Sequence, residues 1–247
     1  MKIKELEDFD WFPPILRKYQ MELIGIMVSQ FGLYQGVAKM IKNDLIKQKI
    51  SKITDLCSGS GFPAIYVHEK INITALKSTL SDKYPQQIIA TPGIYYAQSE
   101  MDVNDIELHK DTYYTMYNAY HHLEEGEQKQ LIQKFLDKNG KLIIVEIVQP
   151  TLLNVVLVTL ASTLGVWLLC PLIRPFEWRR ILFTYIIPIN VLTVLIDGYI
   201  SILKSKTKRQ YKDHFDRLFP GSPQIVVQSH LSFPAYLVTI KASPQND

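Results

Sequence analysis

The sequence lacks the features that announce several protein classes. Its 247 residues include two cysteines, Cys57 and Cys170, far apart in unlike contexts. That excludes a disulfide framework and the paired spacing of a zinc ribbon, and makes a reducing, cytosolic setting the expectation. Neither sign of charge dominates: 27 Lys and Arg against 24 Asp and Glu leave a net charge of +3. So small an excess gives no reason to expect a nucleic-acid partner. The opening Met1-Lys2-Ile3-Lys4-Glu5 has no apolar stretch of signal-peptide length, so a secretory leader is not expected. Charge is missing altogether from two long runs, 147–173 and 181–196.

What is present describes a globular chain, 47% hydrophobic and 21% charged, of a length suited to one α/β domain with an insertion. The stretch that organises it is Ile53-Thr54-Asp55-Leu56-Cys57-Ser58-Gly59-Ser60-Gly61, then Phe62-Pro63-Ala64. It predicts a short buried strand, a glycine turn and the first turn of a helix. Gly59 and Gly61 allow a backbone that other residues avoid, and Pro63 suits the first helical turn because its missing N–H costs nothing there. Such a corner offers unpaired N–H groups and a positive dipole end to a nucleotide-like ligand.

Asp55-Leu56-Cys57-Ser58-Gly59-Ser60-Gly61 resembles the first motif of class I S-adenosylmethionine-dependent methyltransferases, an acid followed by three alternating glycines, with Cys57 in the place of the first. The resemblance implies S-adenosylmethionine as cofactor, with Asp55, Cys57, Ser58, Gly59 and Gly61 around it. A carboxylate at the end of the second strand, some twenty residues after the turn, can accept from both ribose hydroxyls. Asp82 has that spacing and is the implied ribose acid. Asp102 and Val103 match the acid and apolar neighbour that hold the adenine. Asn118-Ala119-Tyr120-His121-His122-Leu123 resembles a run found after the fourth strand in many small-molecule methyltransferases. It places Asn118 at the cofactor and makes His121 and His122 the candidates for proton transfer. Metal binding is not expected, since adjacent histidines in a turn point different ways and no third ligand is evident in the sequence.

The remaining pattern predicts an α/β fold: a Rossmann-like, mostly parallel sheet with helices on both faces, closed by an antiparallel C-terminal strand pair. Strands are expected near 53–56, 75–81, 95–98, 113–119, 141–148, 224–228 and 235–240. Residues 1–50 read as a helical N-terminal cap. Residues 51–150 and 205–247 read as the cofactor-binding domain, and 151–204 as an apolar helical insertion. Glu146 ends a strand where it could point into the pocket.

The insertion would pass a hydropathy test for two membrane spans. Its second run offers only about 16 residues, ~24 Å of helix against a hydrocarbon core of ~30 Å, broken by Pro188 and Asn190. A hairpin would also carry the arginines of its connecting loop across the bilayer, against the positive-inside tendency. Three readings are left: a lid lining a greasy acceptor pocket, a re-entrant or interfacial anchor on the inner face of the membrane, or true membrane spans.

The function expected is therefore methyl transfer from S-adenosylmethionine to a small, hydrophobic or lipid-like acceptor by a cytoplasmic enzyme, with no nucleic-acid partner. The alternatives are a membrane-associated binding protein on the same fold, and an NAD-dependent oxidoreductase using Gly59-x-Gly61-x-x-Ala64.

Overall fold

A computed structural model describes residues 3–83, 91–97, 101–232 and 234–243. Among them, strands β1 (Lys52–Leu56), β2 (Lys77–Ser81), β3 (Ile94–Tyr96), β4 (Tyr113–Tyr117), β5 (Lys141–Glu146), β6 (Ile225–Ser232) and β7 (Ala235–Ala242) form one sheet. Its order is β3-β2-β1-β4-β5-β7-β6, parallel except where β7 runs antiparallel between β5 and β6. The order reverses between β1 and β4, so a crevice opens beyond their carboxyl ends, where open α/β sheets bind ligands. The expected third strand is shorter than its sequence span, and its last residue, Gln98, lies outside the described residues.

Alternation along β4 and β5 divides the core into two layers. Tyr113, Tyr117, Ile143 and Val145 face helices α2 (Gln35–Gln48) and α3 (Phe62–Ile71). Tyr114, Met116, Leu142 and Ile144 face α4 (Glu125–Asp137) and the helix Lys208–Leu218. Both faces of the central strands are covered, which is why their sequences run apolar or aromatic without a polar side. α4 begins with a reciprocal cap in which Glu127 accepts the Glu124 N–H at 2.7 Å.

Helix α1 (Pro14–Phe31) and α2 occupy the stretch read as a cap. α2 is not laid over the site: Ile41 and Leu45 are fully buried against α3, making it a layer of the sheet sandwich. The part of residues 1–50 that reaches the crevice is the segment before α1 and the flank of α1 itself.

The insertion is a continuous helix, Leu152–Leu172, followed by Trp178–Ile186 and Ile189–Lys204, which meet at 74°. The first is long and apolar enough to cross a membrane. Its inner contacts are both apolar and polar: Val166, Ile173 and Val191 pack with Leu23 of α1, Arg180 pairs with Glu22 of α1 and donates to the Ile173 carbonyl at 3.1 Å, and Asn190 donates to Thr184 at 3.1 Å. The outer face carries the large apolar side chains, with Leu152 80%, Leu168 72%, Ile186 72% and Leu203 70% exposed.

Candidate active site

The glycine turn follows β1 with Cys57, Gly59 and Gly61 all at positive φ, +54°, +52° and +80°. That alternation explains why glycine suits all three positions, and Cys57 adopts the left-handed region at some cost in strain. At Gly61 a side chain would also collide, since a Cβ would sit 2.4 Å from Leu80 Cδ1. The turn is closed by the Gly61 N–H donating to the Ser58 carbonyl at 2.7 Å and tied to β2 by the Ser58 N–H donating to the Ser81 carbonyl at 2.9 Å.

A cleft of about 640 Å³ lies against this turn, within the usual range of small-molecule sites. Of the residues proposed from sequence, Cys57, Ser58, Gly59, Asp82, Asp102, Val103, Asn118, His121 and His122 line it. The Asp82 carboxylate accepts the Gly59 N–H at 2.6 Å, which fixes it at the mouth of the turn. The Met101 N–H donates to the Asp82 carbonyl at 3.0 Å, bringing Asp102 and Val103 alongside. The ends of β1 and β2 and the segment at residues 101–103 therefore converge on one wall.

Two proposed cofactor residues lie behind that wall instead. Gly61 caps α3 and packs on Leu80 and Tyr96. Asp55 is buried, accepting from Thr115 Oγ1 at 2.6 Å, while its own carbonyl accepts from Ser58 Oγ and Ser81 Oγ. Burial, offset in part by the Thr115 and Ser58 hydroxyls, raises the Asp55 carboxyl from 3.8 to about 7. Its place in the motif is that of a pin joining β1, β2 and β4. Asn118 lines the cleft, but its side chain is engaged: its Oδ1 accepts the Ile147 N–H at 2.9 Å and its Nδ2 donates to Tyr34.

The histidine pair sits in a short turn, Tyr120–His122, after β4. Glu146, fully buried at the end of β5, does not line the cleft; its carboxylate accepts the Tyr120 N–H at 2.9 Å and meets His121 Nδ1 at 2.6 Å. Burial works against an imidazolium at His121, but the carboxylates of Glu146 and Glu5 outweigh it and raise the group to about 10. With its proton held that tightly, His121 is unsuited to act as a general base near neutrality. His122 Nδ1 lies 3.0 Å from Asp8, and the two Nε2 atoms each lie 3.5 Å from Glu5 Oε1. A third potential ligand thus accompanies the pair, contrary to the sequence expectation.

The sequence reading did not single out Glu5, Glu7 or Asp8 in the N-terminal segment. Glu5, Glu7 and Asp8 reach the cleft region because Asp197, on the last insertion helix, accepts the Leu6 N–H at 2.6 Å and the Glu7 N–H at 3.3 Å. Ser201 Oγ donates to Glu5 Oε2 at 3.0 Å, and Lys204 lies 3.5 Å from both Glu5 and Asp8. The signal was available in principle: Asp197, Ser201 and Lys204 recur at helical spacing along one face of an apolar helix. The lining of the cleft lends the lid reading no support. Among the described residues beyond 150, only Lys204 and Lys206 line the cleft; the insertion's inward apolar residues Val166, Ile173 and Val191 pack with Leu23 of α1 instead.

The fold is that of the class I S-adenosylmethionine-dependent methyltransferases. Among solved structures, the plantazolicin methyltransferase BpumL, in complex with a monoazolic desmethylPZN analog and SAH, matches with a TM-score of 0.58 at 10% identity, over 94% of this chain and 91% of that one. BpumL in complex with SAH gives 0.57 at 9% identity, over 97% and 94%. Human N-acetylserotonin methyltransferase in complex with SAM matches at 0.50 and 15% identity, over 96% of this chain and 59% of that one. No family model matches the sequence, nor does any curated protein. The antiparallel β7 between β5 and β6 belongs to this fold and gives no support to the nicotinamide alternative.

Proposed function

We propose that the protein is an S-adenosylmethionine-dependent methyltransferase that works at a membrane surface on a small, hydrophobic or lipid-like acceptor. The observation that carries the reading is the wall formed by the Cys57–Gly59 turn, Asp82, and Asp102 with Val103, at the reversal of strand order. A ribose fits the Asp82 carboxylate, and an adenine fits the acid and apolar pair beside it. The cofactor supplies an activated sulfonium methyl. The chain's task is then to bind, align and exclude water rather than to provide strong acid or base chemistry.

The acceptor class rests on the insertion. Its outward apolar face is flanked by exposed Trp167, Trp178, Arg174 and Arg179, the composition that seats a helix at an anionic headgroup boundary. A face of that kind would present the cleft to acceptors held in the bilayer.

Calorimetric titration with S-adenosylhomocysteine tests the cofactor assignment. Binding that weakens at least tenfold in Asp82→Ala is expected, since the variant loses the carboxylate assigned to the ribose. Absence of binding to the wild-type protein would sink the reading.

A further inference from the structure

We infer that Glu5, His121 and His122 form a binding site for a zinc-type divalent cation at the inner end of the cleft. Glu5 Oε1, His121 Nε2 and His122 Nε2 lie within 4.8 Å of one another. Both nitrogen-to-oxygen separations are 3.5 Å. A tetrahedral ion with bonds of ~2.0–2.1 Å has ligand-to-ligand edges of roughly 3.3–3.4 Å. At 3.5 Å the contacts are long for hydrogen bonds and close to the spacing a shared ion requires.

The second observation is an orphaned atom. His121 is 4% exposed, and its Nε2 makes no hydrogen bond although it is aimed at Glu5. Buried polar nitrogens are nearly always satisfied, and an ion between the three groups would satisfy this one.

The surroundings fit the same purpose. Each imidazole has its Nδ1 against a carboxylate, Glu146 for His121 at 2.6 Å and Asp8 for His122 at 3.0 Å. This is the arrangement that fixes ring orientation in metal-bound histidines, and at His121 an entering ion would take the place of the Nε2 proton, so binding would release a proton to solvent. Glu5 is held by the Ser201 hydroxyl on its other oxygen. Lys204 competes for Glu5 Oε1, but it is equally close to Asp8 Oδ2 and can shift there when an ion enters. Two nitrogens and one oxygen favour zinc or a similar transition metal over magnesium or calcium, which prefer oxygen alone.

Three protein ligands leave a fourth position open, as catalytic rather than structural zinc sites do. His121 and His122 line the cleft, so that position faces it. It would take an oxygen or sulfur of the acceptor and lower its pKa. This last step rests on the methyltransferase reading; the ion site does not.

The test is titration of the metal-stripped full chain with zinc chloride by calorimetry, with no cofactor added. Cobalt(II) serves as a parallel spectroscopic probe, because tetrahedral coordination gives an intense visible band. One equivalent bound by the wild type is expected. Affinity should fall by about 100-fold or more in Glu5→Gln and in His122→Gln, and by about 10–100-fold in Asp8→Asn, which removes only an orienting charge. His122→Gln is the safer variant for folding because that ring is partly exposed. S-adenosylhomocysteine titration of the same samples reports separately on the cofactor wall. No stoichiometric binding to the wild type, or equal affinity in folded Glu5→Gln and His122→Gln, would overturn the site whatever the cofactor titration shows.

Discussion

The Asp197 carboxylate accepts the Leu6 N–H at 2.6 Å across 191 residues of sequence. An apolar insertion thereby holds the N-terminal segment against the histidine pair. The insertion's polar face, not its greasy one, is coupled to the candidate chemistry.

That coupling predicts the behaviour of Asp197→Ala. The substitution removes the acceptor for Leu6, Glu7 and Gln20, and leaving donors unsatisfied costs about 1–3 kcal/mol. Urea denaturation should report a loss of that size. Hydrogen exchange should show faster opening at residues 5–12 than in β4 or β5. Uniform acceleration across the sheet would mean that Asp197 supports the whole fold rather than the segment.

Cys57→Gly should be tolerated and should stabilise the protein by up to about 1 kcal/mol, because it releases a non-glycine residue from φ +54°. Gly61→Ala should do the opposite, at about 1–3 kcal/mol or more, through φ +80° and the 2.4 Å approach to Leu80. Unfolding midpoints for both variants decide the matter. A destabilised Cys57→Gly would show that the thiol's packing outweighs its strain.

Asp55 gives a pH prediction. Burial raises its folded-state pKa from 3.8 to about 7, so between those values the folded protein holds a proton that the unfolded chain has released. The stability this group contributes is full below about pH 4 and is lost as pH rises through about 7. In Asp55→Asn the amide oxygen can still accept from Thr115, but the titration is gone. The difference in unfolding free energy between about pH 5 and about pH 8 should shrink in the variant, by ~1.4 kcal/mol per unit of lost pKa shift at most. An unchanged difference would show that other groups set the pH dependence.

The three tryptophans, Trp11, Trp167 and Trp178, are each more than half exposed. Vesicles containing anionic lipid should therefore shift the emission to the blue and float with the protein. Replacing Leu168, Ile186 and Leu203 together by Gln should abolish flotation without changing S-adenosylhomocysteine affinity. Dimerisation on gel filtration with no flotation would assign the face to a second copy of the chain instead.

The sequence by itself determined the fold and most of the residues that gather beside the glycine turn. A buried strand, a glycine turn and a proline-started helix are encoded within a dozen residues, and the continuous apolar run of β5 marks a central strand covered on both faces. Asp82, Asp102 and the histidine pair are legible through their resemblance to methyltransferase motifs rather than through periodicity. Only the tertiary structure decided what lies between distant segments. It turned Asp55 inward as a pin, brought Glu5 to His121 and His122, and left Leu152, Leu168, Ile186 and Leu203 of the insertion outward while Val166, Ile173 and Val191 pack inward. Local patterns fix which element forms, through backbone sterics and burial period. Contacts across 100 residues or more depend on which faces pack after the chain has closed, and an unbroken apolar run carries no mark of which way it will face.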